Sequence, residues 1–319
     1  MNYSICKSLI IPIYKNEENI PQLISALEKL NAAVGPGFEL VFVVDGSPDN
    51  SYLMLCDRLP KVAFPSQLLS HSRNFGSFAA VRTGMAHARG DLLAVMAADL
   101  QELPDLVIHF FKILIENRAD IVFGQRKKRH DAFFSKLFSN LFWTLYRKFV
   151  YKEVPPGGVD VFACNRKVKE AVLAISEPNS SLIIQLFWVG FRRSFVPYER
   201  QKREYGISAW SFARRLRYMA DSLFSFSDLP IILVLSIGIF GLFFCTIIGL
   251  IILVAKFSGM IEVPGYTATI LTLLLFGFFM LLTQGILGSY LWRTFENTKK
   301  RPLSLIMDKQ EFTGVSSDD

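Results

Sequence analysis

The stretch GDLLAVMAADLQELPD, running from Gly90 to Asp105, decides how the rest of the chain is read. Leu92–Ala98 is an uninterrupted apolar run of strand length, the pattern of a strand covered on both faces. Asp99 and Gln101 stand where that strand should end, and Pro104 and Asp105 suit the first turn of a helix. In open α/β sheets, ligands bind beyond the carboxyl ends of the strands. An acid and an amide two residues apart at such an edge suit a divalent ion carried by a diphosphate, since Mg²⁺ takes oxygen ligands and substrate phosphates. The same spacing also fits Asp99 as a simple helix cap.

Outward from this stretch the pattern repeats. Ser8–Tyr14 predicts a buried first strand, Lys15–Asn19 its turn, and Pro21 the start of an amphipathic helix to about Ala33. Glu39–Val44 predicts a second strand ending in the turn cluster Asp45–Asn50. Gln67–Ser70 predicts a third, followed by Arg73–Gly76 and a helix through Ala88; Leu92–Ala98 is the fourth and Ile121–Gly124 the fifth. Strands alternating with helices imply an α/β fold with a doubly wound, mostly parallel sheet and right-handed crossovers. Glu17, Asp45 and Asp99 then fall at three strand ends, a clustering that points to one site. No Gly-x-Gly-x-x-Gly follows the first strand and no Walker A sequence occurs, which argues against dinucleotide and P-loop sites.

A length of 319 residues suggests about two domains. Hydrophobic content of 51% has a local cause. Leu229–Ala255 and Gly265–Trp292 contain no Asp, Glu, Lys or Arg, and each exceeds the ~20 residues needed to cross a bilayer. Lys256–Pro264 is too short for a domain, so the pair predicts a two-helix transmembrane hairpin spanning residues 229–292; two buried core helices are the alternative. Arg214, Arg215 and Arg217 precede the first span, and Arg293, Lys299, Lys300 and Arg301 follow the second, against Lys256 and Glu262 between them. The positive-inside rule therefore places residues 1–207 and a tail, 293–319, on the cytoplasmic side of an inner or plasma membrane. The four cysteines (Cys6, Cys56, Cys164 and Cys245) form no CxxC pair, which fits a reducing compartment and suggests neither zinc nor disulfides.

Residues 126–152 carry eight Lys or Arg against one acid, Asp131, interleaved with Phe133, Phe134, Leu137, Phe138, Leu141 and Phe142. This suits a basic, aromatic amphipathic helix in a membrane interface, or a core helix with a solvated basic face. Residues 208–228 form a second such segment leading into the first span. With eight basic and two acidic residues over 192–217 as well, positive charge gathers where the chain should meet anionic headgroups and phosphorylated ligands. That distribution disfavours nucleic acid as the partner. Asp160 follows the diglycine Gly157-Gly158, so it could reach a ligand as a general base, or serve as a turn acid. His71 and His130 flank candidate loops without metal-ligand spacing, as structural histidines do.

In order along the chain, IPIYKNE (Ile11–Glu17), VDGSPD (Val44–Asp49), SRNFG (Ser72–Gly76), ADLQ (Ala98–Gln101), Arg126–Asp131 and REYGIS (Arg203–Ser208) precede the apolar pair. This ordered set resembles the polyprenyl-phosphate glycosyltransferases of glycosyltransferase family 2, the group of dolichol-phosphate mannose synthase and the GtrB- and ArnC-type bacterial enzymes, over about residues 5–300. The resemblance implies a GT-A fold and transfer of one sugar from a nucleotide-sugar to a polyprenyl phosphate, with inversion. It assigns Pro12, Tyr14, Glu17 and Asp45 to the nucleoside, and Asp99 and Gln101 to a diphosphate-bound Mg²⁺ or Mn²⁺. It assigns Arg126 and Arg129 to the lipid phosphate and Arg203 to phosphate charge. Asp160 corresponds to the acid proposed as base in GtrB-like members, or positions the acceptor.

Two departures stand out. Many members have Asp-x-Asp where this chain has Ala97-Ala98-Asp99, and many have Lys where this chain has Ala209. No Gln-x-x-Arg-Trp occurs, which favours one sugar per encounter over processive synthesis. The bacterial resemblance favours UDP over GDP donors. A catalytically degenerate membrane scaffold, and a transferase acting on another lipid such as a glycerolipid, are the competing expectations. Gly238, Gly241, Gly249, Gly285 and Gly288 suit helix contacts within the hairpin or in a homo-oligomer.

Overall fold

The computed structural model describes residues 6–101, 104–126, 155, 159–178, 180–201, 229–258 and 265–314. Apolar runs of strand length form β1 (Lys7–Ile13), β2 (Phe38–Val44) and β4 (Leu92–Val95), while β3 (Ser66–His71) is polar at both ends yet buried throughout. They pair in parallel, with β1 between β2 and β4 and β3 beyond β2. Side chains alternate across β1: Leu9, Ile11 and Ile13 join the core under α1 (Ile20–Val34), α2 (Ser51–Arg58) and α4 (Pro104–Ile115). Ile10 faces α3 (Ser77–His87), which comes so close that a Cβ on Gly84 would lie 2.3 Å from its Cγ2. Helices therefore cover both faces, as the continuous apolar strands require.

The sheet continues through β5 (Ile121–Arg126), β6 (Val159–Asn165), β7 (Arg193–Tyr198) and β8 (Ile306–Phe312), in the order β7-β5-β6-β4-β1-β2-β3-β8. β6 runs antiparallel to both β4 and β5, and β8 antiparallel to β3, while β7 is parallel to β5. The sheet is thus mixed, with six strands running one way. Two further helices, α5 (Arg166–Ala174) and α6 (Leu182–Trp188), lie between β6 and β7 in the chain. Asn165 caps α5, accepting from the Val168 N–H at 3.1 Å. Arg82 of α3 donates to the Val172 and Leu173 carbonyls at the other end of α5 and to Gln185 of α6, satisfying helix-end acceptors.

Two expectations need correction. The fourth strand ends at Val95 rather than Ala98. The Met96 N–H still bonds the Ile10 carbonyl at 3.1 Å, but the next bond of a parallel ladder would need an N–H on Pro12, which has none. Nor are residues 293–319 simply a tail, since β8 pairs with β3 from Ser66↔Phe312 to His71↔Ile306.

The chain divides into two compact units, Met1–Arg215 with Arg301–Asp319, and Leu216–Lys300. In the second, α7 (Leu229–Phe257) and α8 (Tyr266–Thr298) are 29 and 33 residues long. Among the described residues, one segment, Leu275–Thr298, is long and apolar enough to cross a membrane. The interfacial segments expected over 126–152 and 208–228 lie outside the described residues apart from Arg126, as do Arg129, His130 and Arg203.

Candidate active site

Six strands end at one edge of the sheet, and β6, running the other way, begins there. That edge collects Tyr14 after β1, Asp45 after β2, His71 at the end of β3, and Asp99 in the turn after β4. It also collects Arg126 at the end of β5, Asp160 in the first residues of β6, and Gln201 after β7. Pro12 lies within β1, two residues before the edge, opposite Val43.

Asp45 is buried, and both its oxygens are engaged. Oδ1 lies 2.8 Å from His71 Nδ1 and accepts the Phe75 N–H at 2.8 Å; Oδ2 accepts the Gly76 N–H at 2.8 Å. The carboxylate therefore builds the Ser72–Gly76 loop. Gly46, at φ +55°, lets that loop close in: a Cβ there would stand 2.2 Å from the Arg73 carbonyl carbon. Arg73 in turn stacks its guanidinium on the Phe75 ring, 4.0 Å from the centroid.

The turns after β1 and β2 are latched together. Ser47 Oγ accepts the Lys15 N–H at 2.8 Å, Asp49 accepts the Glu17 N–H at 3.1 Å, and Glu17 accepts the Asn50 N–H at 2.8 Å. Burial pushes the Asp49 carboxyl up, but hydrogen bonds from the Ser47 and Ser51 hydroxyls and from two backbone N–H groups outweigh it and leave it below the usual range. Lys15, between Tyr14 and Asn16, sits at φ +55°, a conformation that non-glycine residues seldom adopt.

The turn after β4 shares that feature, with Leu100 at φ +51°. Its side chain packs against the core, which holds the turn and presents Asp99 and Gln101 on either side. Gln101 is fixed to the strand-end segment of β7: its carbonyl accepts the Gln201 N–H at 2.9 Å, and its Nε2 donates to the Gln201 carbonyl at 3.1 Å. Among the described residues no three His, Cys, Asp or Glu side chains group as metal ligands. One carboxylate beside one amide is a donor set for a hard cation completed by phosphate oxygens and water, rather than for a closed protein cage.

The edge thus brings together Pro12, Tyr14, Glu17, Asp45, Asp99, Gln101, Arg126 and the backbone of Asp160. The sequence reading missed the residues that support them, namely Asp49, Leu100 and Gln201, and the partners of His71. The spacing of Asp49 from Ser47 and Ser51 is a local signal of an acid accepting from its own turn; Gln201 and Leu100 carry no such signal.

Residues 8–173 match the family described as Glycosyl transferase family 2. The chain is 34% identical over 301 residues to a Bacillus subtilis (strain 168) protein named as a glycosyltransferase, CsbB, covering 94% of this chain and 91% of that one. It is 26% identical over 300 residues to the undecaprenyl-phosphate 4-deoxy-4-formamido-L-arabinose transferase of Klebsiella pneumoniae (strain 342), covering 92% of this chain and 90% of the other. Among solved structures, glucosyl-3-phosphoglycerate synthase from Mycobacterium tuberculosis in complex with Mn²⁺, uridine-diphosphate and glucosyl-3-phosphoglycerate aligns with a TM-score of 0.50. That likeness covers 68% of this chain and 78% of the other at 14% identity, and is one of fold.

Proposed function

Given that the chain belongs to glycosyltransferase family 2 and is a GT-A-like transferase, we propose that it moves a single sugar from a nucleotide-sugar, UDP-linked by preference, to a polyprenyl phosphate, with inversion at the anomeric carbon. The observation that carries this reading is the single sheet edge on which Tyr14, Asp45, Asp99, Arg126 and Asp160 converge. The acceptor class is supported by the name of the Klebsiella relative, matched along nearly its whole length.

In this reading the latched turns after β1 and β2, with Pro12, Tyr14, Glu17 and the loop built on Asp45, hold the nucleoside. Asp99 and Gln101 would hold a Mg²⁺ or Mn²⁺ ion at the diphosphate end, where it would supply neutralisation of the charge that develops on the departing group. Arg126, Arg129 and Arg203 bind phosphate oxygens and align the acceptor. An acceptor oxygen forms the new bond to the anomeric carbon as the bond from that carbon to the diphosphate breaks, and the diphosphate leaves with the electron pair. A phosphate monoester is already largely ionised near neutral pH, so Asp160 has little proton to remove and serves chiefly to orient the acceptor.

The reaction is assigned to the cytoplasmic face of a membrane, with α7 and α8 as the anchoring hairpin. Side chains such as Ile239, Phe240, Leu281 and Leu291 are more than 60% exposed in their unit, which suits lipid rather than water as the surroundings. The test is transfer from labelled UDP- and GDP-sugars to undecaprenyl phosphate in detergent, with Mg²⁺, Mn²⁺ or EDTA. A labelled lipid from one donor supports the reading. Folded protein that binds neither nucleotide and yields no product favours the degenerate scaffold, and product on diacylglycerol alone favours the other lipid acceptor.

A further inference from the structure

The strand that follows α8 reaches back to the loop assigned to the nucleotide. Ser304 Oγ lies 2.7 Å from Thr83 Oγ1, and Thr83 Oγ1 lies 2.9 Å from His71 Nε2. His71 Nδ1 lies 2.8 Å from Asp45 Oδ1. Asp45 also accepts two backbone N–H groups, an arrangement that suits a His71 donating to it from Nδ1. The other ring nitrogen shares a hydrogen bond with the Thr83 hydroxyl, which in turn shares one with the Ser304 hydroxyl. Four side chains thus form one continuous chain of hydrogen bonds, with Asp45, His71 and Thr83 all buried. One residue on, the Leu305 carbonyl accepts the Ser72 N–H at 3.0 Å, at the start of the same loop.

The rest of the strand is clamped independently. Tyr52 hydrogen-bonds Asp308, Gln310 Nε2 donates to Tyr52 Oη at 3.0 Å, and Arg89 pairs with Glu311. These contacts hold β8 on the sheet with no help from Ser304. The Ser304 hydroxyl is therefore not needed to dock the strand, and its partner leads only inward to Asp45.

We propose that Ser304 is a positioning residue for the nucleotide: through Thr83 and His71 it fixes the carboxylate of Asp45, and with it the Phe75 and Gly76 amides that shape the nucleoside pocket. This rests on the donor-site reading above. It makes donor affinity depend on a residue beyond the last helix, some 220 positions from Thr83 in the chain.

The test uses the full-length protein in detergent, with UDP and GDP binding measured by calorimetry and donor KM and kcat by lipid transfer. Ser304→Ala should weaken nucleotide binding and raise donor KM about fivefold, the size of effect expected from one lost hydrogen bond. It should leave kcat and Tm close to wild type, and Ser304→Thr should restore affinity. A Ser304→Ala variant with wild-type affinity and KM, or one that loses kcat and Tm together at unchanged KM, overturns the inference while the donor site stands. Wild-type protein that binds neither UDP nor GDP rejects the donor-site reading and the inference with it.

Discussion

Asp45 and His71 meet at 2.8 Å in the interior, 26 residues apart, and the same carboxylate gathers the N–H groups of Phe75 and Gly76. An acid at the end of a central strand here organises its neighbour's loop. Replacing Asp45 by Ala strands two backbone donors and a histidine, at a cost of about 2–3 kcal/mol. Thermal unfolding should fall by roughly 5–10 °C for a unit of this size, and nucleotide binding should be lost in calorimetry.

Gly46→Ala tests the approach of that loop from the other side. The new methyl would meet the Arg73 backbone at 2.2 Å, in a backbone conformation unfavourable to alanine. Backbone cannot yield as a side-chain tip can, so the loop must move. Donor KM should rise by at least about tenfold, with a loss of stability of about 2 kcal/mol or more. Unchanged KM would show that the loop does not line the donor pocket.

Asp99→Asn keeps the size of the side chain and removes its charge. If Asp99 acts on the departing diphosphate, kcat should fall by about 10²–10³ with Tm unchanged, and UDP should still bind, though less responsively to Mg²⁺. Full activity in a folded Asp99→Asn protein would sink the assignment.

Asp120 carries a pH dependence unrelated to catalysis. It accepts from Arg192 Nε at 2.9 Å and from Asn165 Nδ2 at 2.9 Å, tying the entries of β5 and β7 to the end of β6. The Arg192 guanidinium holds its carboxyl below the ordinary value of 3.8. A depressed carboxylate stabilises the fold fully above its unfolded value, and that contribution is lost as pH falls through the folded one. Tm measured between about pH 6 and pH 2 should therefore decline less steeply for Asp120→Asn than for wild type, from a lower starting point. Parallel curves would remove Asp120 from the acid response.

Deleting residues 301–319 removes β8 and uncovers β3 along its length. An unpaired, buried-type edge strand is a template for association. The truncated protein should elute as aggregates in gel filtration even in detergent that keeps the full chain dispersed.

What the sequence made legible follows from how local each signal is. β1, β2 and β4 lie in continuous apolar runs, β3 shows only Leu68 and Leu69, and Pro12 even contains the reason β4 stops early. β7 and β8 are edge strands with exposed positions and charged residues such as Arg193, Lys309 and Glu311, so no apolar run announces them. The short apolar run Val161–Cys164 falls within β6, but nothing in it tells that the strand runs antiparallel to β4 and β5, because its direction depends on the path of the chain between β5 and β6. Glu17, Asp45 and Asp99 were legible as strand-end acids. That Asp45 faces inward to His71, Phe75 and Gly76 was not, because its partners lie 26 to 31 residues away.

β8 also constrains how the chain can meet a bilayer. A single hydrogen-bonded sheet cannot straddle a membrane, so β7, which ends at Tyr198, and β8, which begins at Ile306, stand on the same side. The intervening chain therefore crosses a membrane an even number of times or not at all. A crossing by Leu275–Thr298 therefore demands a second crossing upstream, and α7, at 29 residues, has ample length for it. Parity alone, without counting a single arginine, would return both ends of any such pair of crossings to the side that holds the sheet.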